Sequence, residues 1–183
     1  MTNALVPLAE GAEEIEAVTI IDVLRRAEWT VVSAGLAGRE ITASRGVRIV
    51  ADKLWSQLDP SSFDAIILPG GAQGASNLRS DERLLDVLRH FDFEKKTIAA
   101  ICAAPLVLQS AGILNGRKVT CHPAVLNELE GQPVKNADVV VDGHIITSKG
   151  PGTAIRFALE VVKAHNGAAT ARNLAEALVC EMK

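Results

Sequence analysis

The stretch Ile98-Ala-Ala-Ile-Cys-Ala-Ala-Pro105 sets one thiol, Cys102, between an apolar run of strand length and the start of a helix. Thr97–Ile101 reads as a fully buried strand and Ala103–Ala111 as the helix that follows. Small residues on both sides of the cysteine (Ala99, Ala100, Ala103 and Ala104) suit a turn in which backbone passes close to backbone. Pro105 falls in the first helical turn, where a missing N–H costs nothing. A thiol at that place faces unpaired N–H groups and the positive end of the helix dipole, which favour the thiolate. The arrangement has the shape of a nucleophile elbow with Cys in place of Ser.

Outward from this point, buried strands and amphipathic helices alternate. Ala4–Ala9 reads as a strand and Glu13–Ala27 as a helix, with Ala17, Ile20, Ile21 and Leu24 on its apolar stripe. Thr30–Ala34 and Ala65–Leu68 are further strands, and Ile41 and Val47–Val50 are shorter, antiparallel pieces. Asp81–His90 is a helix. Lys118–Cys121 and Val139–Val141 are strand candidates, the latter turning at Asp142-Gly143 into His144–Thr147. Pro151 opens a helix with Ile155, Ala158, Leu159 and Val162 on one face, and Ala168–Val179 is a last Ala-rich helix.

Such alternation predicts a mostly parallel sheet covered on both faces, in one domain spanning residues 1–183. No linker, repeat or low-complexity segment interrupts it. In sheets of this kind ligands bind beyond the carboxyl ends of the strands. Glu13 to Glu16, Gly70-Gly71, Cys102 and His122 all fall at such ends, and this coincidence predicts a site.

Glu13 and Glu14 read as first-turn acids favoured by the helix dipole. Glu16 lies off the apolar stripe and can reach across the strand tips to Cys102, and a hydrogen bond between the two side chains is expected. A carboxyl beside a thiolate shares one proton with it and titrates with it as a unit. Pro69-Gly70-Gly71 reads either as a plain turn or as a place where backbone N–H groups face a bound oxyanion. Its spacing is not that of a dinucleotide fingerprint. His122 reads either as a strand-end histidine or as the base of a Cys–His pair. Cys121 and Cys180 read as structural.

Composition excludes several classes. Hydrophobic residues are 48% of the 183 and aromatics only 3%, with no Tyr, so the core is aliphatic. The net charge of −3, with no long Lys/Arg run, argues against nucleic-acid partners. Three cysteines without a C-x-x-C pair argue against a disulfide framework or a zinc site. The N-terminus lacks a signal-peptide pattern and no apolar run is membrane-length, so a reduced cytoplasmic protein is expected.

Six blocks in order resemble the ThiJ/PfpI superfamily, and most closely its DJ-one branch. They are Ala9-Glu-Gly-Ala-Glu-Glu-Ile-Glu-Ala-Val18, Ser44-Arg-Gly-Val47, Leu68-Pro-Gly-Gly71, Ala99-Ala-Ile-Cys-Ala-Ala-Pro105, Val119-Thr-Cys-His-Pro123 and Thr147-Ser-Lys-Gly-Pro-Gly-Thr153. The resemblance implies a flavodoxin-like three-layer α/β/α sandwich and a homodimer. It implies an oxidisable elbow cysteine at Cys102 and a protonated acid at Glu16, with His122 near the sulfur and backbone donors at Gly71 and Ala103. It also implies arginines, Arg45 and Arg26, brought toward the site by the partner subunit. The activities it implies are a glyoxalase without cofactor, metal or glutathione, deglycation of methylglyoxal-modified amino groups, and a redox-linked chaperone role with Cys102 as sulfinate. Ala72 stands where a member of the branch carries Asn, and Ala43 and Val50 replace the accessory cysteines of one member. Ala103 and Ala124 replace the residues expected of the sister peptidases and amidotransferases, His and Glu respectively.

Overall fold

Side chains of β1 (Asn3–Leu8) alternate between two buried faces, and this sidedness builds the layers. Leu5 joins Ile66, Leu68, Ile98 and Ala100 on one face of the sheet. Ala4, Val6 and Leu8 join Ala65, Ile67, Ala99 and Ile101 on the other. Both faces are covered by helices, so the strands are apolar throughout rather than alternating with polar residues. The computed structural model describes residues 1–129 and 132–181.

The remaining elements in chain order are α1 (Glu14–Arg26), β2 (Thr30–Gly35), β3 (Glu40–Thr42), β4 (Arg48–Val50), β5 (Lys53–Leu54), β6 (Ala65–Leu68), α2 (Ala72–Arg79) and α3 (Glu82–Phe93). After these come β7 (Thr97–Ile101), α4 (Pro105–Ser110), β8 (Val139–Asp142), β9 (Ile145–Ser148) and α5 (Ala154–Ala177). Seven strands form one sheet in the order β5-β2-β1-β6-β7-β9-β8. All neighbours are parallel except the β8–β9 hairpin at one edge. β3 and β4 form a separate antiparallel ribbon. Helices α1 and α5 cover one face, and α2, α3 and α4 cover the other. This is the expected flavodoxin-like three-layer sandwich.

Three local expectations change and one element is added. Helix α2 occupies Ala72–Arg79, a stretch to which the sequence pattern assigns no element. Lys118–Cys121 is not a strand: a single bridge, Val119 to Val134, is all that forms there. Pro123 and Pro133 flank that bridge without N–H groups, which limits a ladder. Ile155 is 38% exposed, while Phe157 and Val161 join Ala158, Leu159 and Val162 in the core. Ile21 is only half-buried, and Val23 takes its place on the inner face of α1. Gly167, at φ 84° and ψ 166°, breaks α5 where the sequence separates two helices.

Candidate active site

The carboxyl ends of β1, β6, β7 and β9 converge on Cys102. Its φ of +65° is the sharp elbow geometry, unusual for any residue but glycine. Two bonds fix this backbone: Cys102 N–H donates to Ser148 O (2.9 Å), and Cys102 O accepts from His122 N–H (2.9 Å). A strained residue with both of its backbone groups satisfied by neighbouring segments is held by the fold around it.

Gly70 makes the elbow possible by close approach. A Cβ there would lie 2.6 Å from Cys102 Cβ and 2.8 Å from Ile101 O. Gly70 N–H donates to Glu16 Oε2 at 2.7 Å, and Gly70 O accepts from Glu13 N–H at 3.1 Å. That N–H is therefore engaged with the acid and does not face the sulfur. The backbone N–H groups that meet Cys102 Sγ are those of Gly71 and Ala103.

Glu16 is fully buried. Its Oε2 is taken by Gly70, and its Oε1 has no hydrogen-bond partner. The expected bond between Glu16 and Cys102 falls short of strict hydrogen-bond geometry, yet the thiol still acts on the carboxyl as a hydrogen-bond donor and lowers its pKa. The two groups are nonetheless near enough to shift one another's ionisation. Taken singly, burial raises the Glu16 carboxyl to about 7, against the lowering effects of Gly70 N–H and the thiol. Burial, and then the charge of Glu16, push the Cys102 thiol up to about 12, although Gly71 and Ala103 N–H pull it down. Together they form one coupled acid whose second negative charge is strongly disfavoured. The helix-dipole expectation of a freely formed thiolate thus gives way to burial and to the neighbouring acid. Helix α4 is short and begins only at Pro105.

An open cleft of about 420 Å³ leads down to the sulfur. Arg45, Glu13, Gly71, Ala103 and His122 line it with Cys102. His122 caps the turn Pro123–Glu128, its Nδ1 accepting from Ala124 N–H at 3.2 Å. That bond assigns the ring proton to Nε2, which makes neutral His122 a donor to a bound oxygen. The Cys–His base reading loses its free acceptor nitrogen. Arg45 lines the cleft of its own chain, whereas Arg26 sits at the far end of α1, exposed and paired with Asp22 at 2.7 Å.

Glu14 has a role that its position in the first turn of α1 conceals. It accepts from Ser44 Oγ (2.7 Å) and Arg45 N–H (2.8 Å), pinning the loop that carries Arg45 over the cleft. Burial pushes its carboxyl up, but these bonds outweigh it and hold it below the usual range. The only sequence signal was a cluster of three acids, Glu13, Glu14 and Glu16, in which the partners of each were invisible.

Together, fold and site define a flavodoxin-like protein with an elbow cysteine over a buried acid. The DJ-1/PfpI family profile matches residues 2–164, and the chain belongs to that family. It is similar to protein DJ-1 homolog B of Arabidopsis thaliana, with 46% identity over 89% of this chain and 38% of that protein. The chain therefore spans well under half the length of this relative. Its likeness to the glutathione-independent glyoxalase DJR-1.2 of Caenorhabditis elegans is 39% identity over 86% of this chain and 85% of that one. The crystal structure of Drosophila melanogaster DJ-1beta superposes with a TM-score of 0.95 at 38% identity, covering 99% of both chains.

Proposed function

We propose that this protein is a cysteine-dependent glyoxalase that converts methylglyoxal and related 2-oxoaldehydes to 2-hydroxy acids without a cofactor. The observation that carries it is Glu16 Oε1, a buried oxygen without a partner of strict hydrogen-bond geometry, set beside the only thiol among the described residues that line the cleft. Cys102 Sγ bonds to the aldehyde carbon while its proton passes to the aldehyde oxygen, giving a hemithioacetal. Glu16 takes the proton from that carbon and returns one to the adjacent ketone carbon, while the hemithioacetal hydroxyl proton passes to the ketone oxygen, so the first carbon is oxidised and the second reduced. The product is a thioester of the 2-hydroxy acid. Water then cleaves the C–S bond, restoring the thiol and releasing the acid. His122 Nε2–H and Arg45 face the substrate oxygens.

The glyoxalase relative supports this reading, and amine adducts of methylglyoxal present the same carbon for deglycation. Three free cysteines suit a reducing cytoplasm. No helix among the described residues is long and apolar enough to cross a membrane. A homodimer belongs to the proposal. Ile15 and Val18 on α1 and Val47 and Val50 on the β3–β4 ribbon are at least half exposed beside the Arg45 loop, and a second copy covers them. Sedimentation at the mass of one chain would remove the dimer.

Purified protein incubated with methylglyoxal in thiol-free buffer should form many equivalents of lactate per chain, and Cys102→Ser none. Aldehyde loss that stops near one equivalent would mean trapping by a reactive thiol, and the glyoxalase reading would fall. Oxidation of Cys102 to sulfinate by peroxide, read as two added oxygens by intact mass, would then be the function to pursue.

A further inference from the structure

Beside the main cleft, between α2 and α4, lies a side pocket of about 150 Å³. The two spaces share three residues of their walls, Ala72, Ala103 and Val125. Two of these contribute only a methyl group, and Ala103 follows Cys102 in the chain, so the two spaces meet within one residue of the reacting cysteine. Beyond it the walls are Ala75 and Leu106, buried apolar side chains that the mechanism does not use. At the outer end stand Arg79 and Glu128, which already have partners. Arg79 Nε donates to Ser110 Oγ at 2.7 Å, and its Nη1 lies 3.9 Å from Glu128 Oε2. The pocket therefore offers apolar walls on the side that it shares with the cleft and no free charge at its end. A volume of about 150 Å³ is enough to accommodate a benzene ring.

We propose that this side pocket is the subsite for the substituent on the ketone carbon of the 2-oxoaldehyde, and that it selects an uncharged aryl or branched alkyl group. The assignment rests on the glyoxalase reading and deepens it by naming the substrate class. When the aldehyde carbon bonds to Cys102 Sγ, the ketone carbon is one bond further out. Two directions are then open to its substituent: outward along the polar cleft past Arg45 and Glu13, or sideways past Ala72 and Val125 into the pocket. Removing an aryl or branched alkyl group from water favours the second path, whereas a carboxylate-bearing group would have to desolvate its charge there without an unpaired cation to meet it.

The test compares kcat/KM for phenylglyoxal and methylglyoxal in wild type, Ala75→Leu and Ser76→Leu. Ala75→Leu fills the pocket from within. Ser76 is an exposed residue of the same lining, so its variant stays informative if the buried substitution fails to fold. The phenylglyoxal-to-methylglyoxal ratio should fall about tenfold or more in Ala75→Leu, and in the same direction in Ser76→Leu. A ratio that stays within about twofold of wild type in a folded variant overturns the subsite. A crystal of the wild-type protein soaked in phenylglyoxal gives a readout independent of turnover. A phenyl ring in the pocket, on an adduct at Cys102, supports the assignment even if no 2-hydroxy acid forms and the glyoxalase reading fails. A ring lying outward toward Arg45 refutes it.

Discussion

Strand β7 joins two ionisable clusters that differ in how completely they are paired. At its amino end, Asp92 Oδ1 takes His144 Nε2 at 2.7 Å and Arg117 Nη2 at 2.9 Å, while Arg117 Nε donates to Ile113 O at 3.1 Å. At its carboxyl end, Glu16 Oε1 is buried without a partner, and the pKa values of Glu16 and Cys102 are both raised. The first cluster is closed and serves the fold. The second is left open in a cleft, on an elbow with positive φ, and this incompleteness is what separates a site from a brace.

Substitutions at the two ends should break this contrast in different ways. Glu16→Gln keeps the shape and the Gly70 bond but cannot move a proton, so lactate formation should fall by about 10²- to 10⁴-fold in a folded protein. Full turnover in that variant would rule out the acid's role. The same variant should also alter stability against pH. Because folding raises Glu16 from its ordinary 4.5 to about 7, the folded chain holds a proton that the unfolded chain has released. Stability contributed by this group is complete below pH 4.5, declines as pH rises to about 7 by roughly 3 kcal/mol, and levels off above. Urea unfolding at pH 4.5 and pH 7.5 should show this decline in wild type relative to Glu16→Gln. Equal slopes in the two proteins would contradict the raised carboxyl.

Gly70→Ala forces a methyl into the elbow backbone and should cost about 1–3 kcal/mol, together with most of the activity, measured by melting and lactate assay on one sample. Retention of wild-type melting would show that the elbow yields more than its contacts suggest. The smallest effect belongs to the closed end. Asp92→Asn breaks a pair with side chains 22–24% exposed and should cost about 1 kcal/mol while kcat stays within about twofold. A large loss of turnover there would erase the distinction between the two ends.

Much of this contrast was legible in the residues. Apolar runs such as Ala65–Leu68 and Thr97–Ile101 announce strands covered on both faces, and the small residues around Cys102 announce the elbow. Helix α2 was hidden because Gly70-Gly71 before it and Gly74, Ser76 and Asn77 within it are turn-favouring residues that break up its five good helix formers. Its folding depends on Ala75 and Leu78 packing against the sheet, a tertiary contribution that local sequence does not carry. Lys118–Cys121 has strand-like side chains, but Pro123 follows it and Pro133 precedes its bridge partner Val134, which restricts pairing. At the site, residue types suggested Cys102 and Glu16, but not that Gly70 N–H holds the acid, that His122 Nδ1 is occupied, or that Glu14 pins Arg45. Each of those depends on a partner distant along the chain.

The Gly70 bond also orders the site in time. The chain is made with Glu16 first, Gly70 second and Cys102 third, so the acid and the amide that grips it leave the ribosome before the thiol. Ser148, whose carbonyl fixes the elbow, comes later still. A newborn chain therefore carries its sulfur on relaxed backbone until β9 docks, and the elbow is complete only once the last strand of the sheet has been synthesised.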